Sequence, residues 1–306
     1  MSKSVKTLLI IAAMFLVVGG ILGSVGYFLG GMKPITLRND GVIRVGSEPG
    51  EIIIVDEQWK RLEKIVIDLP LADLRLEEGD SFSFRGSYDS ELMELKIVEN
   101  NGTLTIRTAS GPRQWWSFGL SIHQNDSANF VLTYPKDTEF REVSINNDIG
   151  SLRIADLTTE VLTLSLDVGS FTGADITVGV LDADLDLGSC TLSALTIEKG
   201  GKFNLDAGSL TLDKMVVHDL DIKSNLGSVE CDGIMTGTSS VRMDNGSLSL
   251  DLDIAERDLS YEVRTDLGEI RLNGKTLSSP ARNSATSPKL ELEIRSNLGR
   301  VSIQTN

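Results

Sequence analysis

Apolar and polar residues alternate along the second half of the chain, and the alternation changes phase at a recurring glycine. The phrase Asp148-Ile149-Gly150-Ser151-Leu152 returns as Asp167-Val168-Gly169-Ser170-Phe171, Asp186-Leu187-Gly188-Ser189-Cys190 and Asp206-Ala207-Gly208-Ser209-Leu210. It continues around Gly227, Gly246, Gly268 and Gly299, with glycine steps of 19, 19, 20, 19, 19, 22 and 31 residues. Five nearly equal steps mark an internal repeat. Two residues after the glycine stand Leu152, Phe171, Cys190, Leu210, Val229, Leu248, Ile270 and Val301, and five before it stand Ile145, Leu164, Ala183, Phe203, Ile222, Val241, Val263 and Ile294. Both columns are wholly apolar. The position just before the glycine is apolar in seven of eight units, Asn245 being the exception. Alternation within each arm is the strand period. A phase change needs a corner, and a corner with positive φ selects glycine.

Each unit therefore reads as strand, glycine corner, strand. Nineteen residues cannot bury their own apolar face, but stacked units can, each column forming a ladder at about 4.8 Å per coil. The pattern predicts an all-β fold: a single parallel β-solenoid of about 19–20 residues per coil over residues 141–306, with a flexible loop inserted at 277–288. No proline interrupts the chain between Lys136 and Ser279, as a laddered backbone requires. Residues 63–140 are β-like but irregular and are expected to cap the N-terminal end. Strands are predicted at Ile52–Val55, Ile65–Ile67, Leu104–Ile106 and Phe130–Leu132, with a short helical turn near Gln58–Lys64. Residues 33–62 read as a linker and first strands.

The opening segment has a different pattern. No charge occurs from Thr7 to Met32, a run of 26 residues, longer than the ~20 that cross a bilayer core as a helix. Residues 7–32 are expected to form one transmembrane helix behind a cytoplasmic stub of residues 1–6. The competing reading is a cleaved signal peptide. Hydrophobicity that resumes through Tyr27, Phe28 and Leu29 favours the uncleaved anchor. Lys3 and Lys6 precede the run and favour an inside N-terminus. That orientation makes a single-pass cell-membrane protein whose C-terminal domain is extracytoplasmic.

Composition narrows the function. The 306 residues carry 29 Lys and Arg against 44 Asp and Glu, a formal net charge of −15, which becomes −18 once the first 33 residues are set aside. Phosphate backbones would be repelled, so nucleic acid is excluded as a partner. Two cysteines, Cys190 and Cys231, give no bridge framework. Both fall in apolar columns about two coils apart, beyond bridging range, and read as buried free thiols.

The position two before the glycine is Asp or Asn in all eight units. Stacked carboxylates make Asp148, Asp167, Asp186 and Asp206 candidate cation ligands. The favoured reading is an Asx-type turn, which Asn225 and Asn297 serve equally well. Trp115, Trp116 and Phe118 form a dense aromatic cluster after Gly111-Pro112 and are read as a loop, either an interaction surface or a lid over the open end of the stack. Among catalytic signatures, G-x-S-x-G, H-E-x-x-H, the phosphate loop and the dinucleotide fingerprint are all missing. No catalytic residue, cofactor or enzymatic activity is expected.

The sequence resembles the bacterial membrane-anchored putative adhesin family, LiaG-type β-solenoid proteins built on a domain of unknown function. Three segments carry the resemblance. They are residues 65–80, Gly102–Ile106 with the aromatic loop at 115–118, and Val131-Leu132-Thr133-Tyr134-Pro135 leading into the Asp-x-Gly-Ser coils. The resemblance covers about residues 60–306 and implies a non-catalytic, envelope-associated interaction role. It carries over no functional residues. The expected partners are the lipid bilayer, through the N-terminal helix, and a cell-envelope protein or glycan. The alternatives are a polysaccharide-active β-helix enzyme, for which Asp184 and Asp186 would be carboxylates of interest, and a cation-stabilised scaffold.

Overall fold

A computed structural model describes residues 35–38, 43–45, 51–90, 93–109, 114–118 and 128–306. The described chain is all-β, with one short 3-10 turn at Glu256–Asp258. In chain order the strands are β1 (Ile35–Arg38), β2 (Ile43–Val45), β3 (Ile52–Trp59), β4 (Lys64–Leu71), β5 (Asp73–Gly79), β6 (Phe82–Asp89), β7 (Leu95–Asn100) and β8 (Thr103–Thr108). They continue as β9 (Gln114–Phe118), β10 (Asn129–Pro135), β11 (Glu139–His218), β12 (Leu220–Leu252), β13 (Leu259–Leu272), β14 (Lys275–Leu277), β15 (Ala281–Asn283) and β16 (Leu290–Thr305). The strands predicted within β3, β4, β8 and β10 are present. The helical turn expected near residues 58–64 is not, because β3 runs on through Trp59 into a bend.

β11 and β12 each wind through several repeats. The units stack with glycine against glycine, Gly208 opposite Gly227 and Gly246 opposite Gly299. Inside the coils, Leu164, Ile222, Val241 and Ile294 are buried, as are Leu152, Phe171, Leu210 and Val301. Alternation puts these side chains inward from both arms, and burial of each large aliphatic is worth about 1.5–3 kcal/mol. Aromatics take over at the N-terminal end. Phe84 stacks on Phe130 with centroids 5.0 Å apart, and Tyr134 meets Phe140 edge-on at 5.3 Å. The Tyr134 hydroxyl donates to the Ala155 carbonyl at 2.7 Å, and burial pushes its pKa up.

The expectation of a single parallel β-solenoid behind a transmembrane helix is corrected. The main sheet has 13 strands and is mixed. β11 pairs in parallel with β4, β5 and β12, and β16 in parallel with β12 and β13. β6 with β10, β7 with β8, and β13 with both β14 and β15 are antiparallel. β1, β2 and β9 form a separate three-stranded antiparallel sheet. The repeat prescribes strand and corner but not the direction of strands beyond its ends. Hairpins there cover ladder edges that would otherwise stay open. The predicted loop at 277–288 contributes to this, since β15 lies within it and pairs antiparallel with the outermost coil. The transmembrane helix expected at residues 7–32 lies outside the described residues. Among the described residues no helix is long and apolar enough to cross a membrane.

The stack also departs from sequence order. Gly299 faces Gly246 on one side and Gly268 on the other. The coil of β16 therefore sits between that of β12 and that of β13, although β13 precedes it in the chain. The N-terminal end repeats the device. β4 and β5 take β11 on one side and β8 and β10 on the other.

Candidate surface at the glycine corner

Each corner is built from three successive outward positions. An added Cβ on Gly169, Gly188, Gly227 or Gly246 would lie 1.7–1.8 Å from the carbonyl oxygen of the glycine in the preceding coil. The φ values there run from 146° to 157°. Close backbone approach and positive φ together exclude any side chain. The residue two before the glycine faces out, and so does the residue just before it.

This second position differs from its sequence pattern. Parity with the inward columns places it in the core, yet Ile149, Val168, Leu187, Leu226, Leu298 and Leu267 are 45–70% exposed. The reversal of facing falls at the Asp/Asn position rather than at the glycine. The result is a ridge of aliphatic side chains running up the outside of the stack, interrupted at Ala207 and Asn245. An apolar column that abuts an Asx column and a corner glycine is the sequence signal that could have marked it.

The Asp and Asn residues stack beside the ridge. Asp148, Asp167, Asp186 and Asp206 occupy four successive corners. Beyond them the amides intervene. Asn225 Nδ2 donates to Asp206 Oδ1, and Asn297 Nδ2 to Asp244 Oδ1, each at 2.9 Å. Burial, then the charges of Asp167 and Asp68, push the Asp148 carboxyl above its ordinary value. Among the described residues no group of three or more His, Cys, Asp and Glu is arranged to hold a metal ion.

Trp115, Trp116 and Phe118 lie in strand β9 rather than a loop, with Trp116 opposite Leu37 and Phe118 opposite Ile35. They belong to the separate three-stranded sheet. Cys190 and Cys231 are free and buried. Burial pushes both thiols up, Cys231 to about 12 with Glu230 adding to the shift, so neither is a thiolate nucleophile at neutral pH. Asp184 is hydrogen-bonded by Asn204 on the next coil.

A second outward feature lies past the corner, at the N-terminal end of the stack. Asp73, Arg75, Arg85, Val131, Arg153 and Thr172 line a groove of about 340 Å3. Sequence reading missed it because its arginines come from strands far apart in the chain.

The Toastrack DUF4097 family model matches residues 62–305. The chain belongs to that family, a domain of unknown function. Solved structures similar to it include a "putative cell adhesion protein" from Clostridium sporogenes, at 13% identity and TM-score 0.32, covering 84% of this chain and 100% of the other. Another is a "putative adhesin" from Bacteroides fragilis, at 12% identity and TM-score 0.36, covering 84% and 98%. A third is a "putative lipid binding protein" from Parabacteroides distasonis, at 13% identity and TM-score 0.35, covering 82% and 97%. None of the curated proteins matches the chain.

Proposed function

We propose that this protein is a non-catalytic, surface-exposed interaction protein, held at the cell membrane with its repeat region outside the cytoplasm. The observation that carries the reading is the exposed ridge of Ile149, Val168, Leu187 and Leu226, set beside the carboxylates of Asp148, Asp167, Asp186 and Asp206. Scattered exposed aliphatics need no explanation, but a contiguous row is an interaction feature. Charge complementarity defines the occupant as an envelope protein presenting an apolar stripe bordered by Lys or Arg. Such a partner covers the ridge and relieves the repulsion within the carboxylate row. The uncharged run Thr7–Met32 supports membrane association, and the missing catalytic signatures support a binding role.

Two measurements test this. In intact cells, a membrane-impermeant amine-reactive label should modify exposed lysines of the repeat region while a cytoplasmic marker stays unlabelled. Labelling only after lysis would sink the location. Crosslinking from the same cells should capture a partner that Leu187→Lys reduces at least tenfold with the fold unchanged by circular dichroism. Equal capture by the variant would remove the ridge from the interaction.

A further inference from the structure

The groove beyond the corner has a charge opposite to that of the molecule. Arg75 and Arg153 are direct Cα partners on neighbouring strands, so their outward side chains start about 4.8 Å apart. Arg85 joins the same row two strands away, through Val131, which faces Arg75 on one side and Arg85 on the other. Like charges placed opposite one another are destabilising by themselves, and the neighbourhood compensates them unevenly. Arg85 pairs with Asp56 at 3.0 Å and Arg75 sits 3.8 Å from Glu77. Arg153 makes no ion pair among the described residues. The one carboxylate lining the groove, Asp73, already accepts from the Ser151 amide at 2.9 Å and from the Ser151 hydroxyl at 2.6 Å.

From Arg153 the row continues in hydroxyls. Thr172, Thr191 and Thr211 follow on successive coils, and Ser170, Ser189 and Ser209 run alongside them. Thr172, Ser189 and Thr191 are exposed. Uncharged hydroxyls that both donate and accept, repeated at one coil step, match the hydroxyl groups of a sugar or polyol. Val131 adds an apolar contact between the arginines.

We propose that this groove binds an anionic carbohydrate. Arg153 and Arg75 hold the carboxylate or phosphate, and the Ser170–Thr172 hydroxyl strip holds the sugar body. Guanidinium is the group suited to either anion, because its fork matches two oxygens at once. The carboxylates of the corner row limit the anionic part to the arginine end, so the ligand is an acidic unit with a neutral hydroxylated extension. The site is separate from the aliphatic ridge and does not depend on it.

The test uses the full chain in detergent with three probes: fluorescent trigalacturonate, its carboxyl-reduced neutral counterpart, and inorganic phosphate as a competitor. Trigalacturonate should bind at least tenfold more tightly than the neutral probe, with affinity falling as salt rises. Arg153→Gln and Arg75→Gln should each weaken it at least fivefold, and Thr172→Val about threefold, all three variants keeping the wild-type circular dichroism. Equal binding of the acidic and neutral probes, no binding, or unchanged affinity in Arg153→Gln would overturn the site. If phosphate competes but Thr172→Val has no effect, the groove binds a bare anion and the carbohydrate assignment is wrong.

Discussion

At Gly188 two constraints coincide. Its φ is 152°, and a methyl group there would meet the Gly169 carbonyl oxygen at 1.7 Å. Gly188→Ala must displace backbone in two coils, so we expect a loss of about 4 kcal/mol or more, read from the midpoint of chemical denaturation. A shift below about 1 kcal/mol would mean the coils are free to separate there. Asp148 makes a different prediction. Its carboxyl is held above the ordinary value by burial and by Asp167 and Asp68, so the folded state keeps the proton more readily than the unfolded chain. The stability it contributes is present in acid and is lost as pH rises from the ordinary carboxylate value through the raised one. Asp148→Asn should therefore raise the melting temperature at pH 7 and raise it much less near pH 4. An equal gain at both would rule out the electrostatic cause. The glycine and the Asx position were legible in sequence because both are fixed by local backbone geometry. The facing of Ile149 or Leu187 was not, because parity cannot be carried through three consecutive outward residues.

For the strands, the legible part is the repeat and the illegible part is its order. Every coil presents the same inward columns, so any neighbour satisfies any other. Nothing in the apolar pattern distinguishes Gly299 beside Gly268 from Gly299 between Gly246 and Gly268. The long 31-residue step before Gly299 is what makes the return possible, since residues 273–289 carry the chain past the outermost coil and back. Strand direction at the ends was equally hidden, because hairpins form wherever an edge needs cover. Placement of β16 between β12 and β13 gives it two parallel partners. Ile294→Ala, at a buried site in its centre, should cost about 2–5 kcal/mol. Deleting residues 290–306 should expose β12 and β13 together, seen as protease cleavage within 237–272. Survival of that region would mean the two coils can pair directly.

At the level of the whole molecule, the excess of acid divides into parts with different meanings. The Asp/Asn row belongs to the corners. Other carboxylates pair with a cation two residues along the same strand, as in Arg264 with Glu262, Arg271 with Glu269 and Arg295 with Glu293. These exposed pairs add little stability individually. The ridge and the arginine groove are places where this pattern of charged side chains breaks. The groove was hidden in the sequence because its residues are of ordinary types and come from strands far apart, whereas the ridge showed only as an apolar column beside the Asx column, with its outward facing hidden.

The insertion of β16 also bears on how the chain reaches its final state. A molecule made from its N-terminus could lay down the coils of β11 and β12 one upon another as they emerge. The coil of β13 cannot follow, since its seat is the far side of a strand not yet synthesised. Until residues 290–305 arrive, β13 has only the short hairpin strands β14 and β15 beside it and no coil to stack on. The last two coils then close in one event, and the youngest segment acts as a wedge that completes an older structure. Chains stalled with 272 residues clear of the ribosome should show β11 and β12 resistant to protease and residues 259–272 sensitive, and release of the full chain should protect all three together. Growth by simple addition ends at Leu252. Beyond it, the order of synthesis and the order of assembly part company.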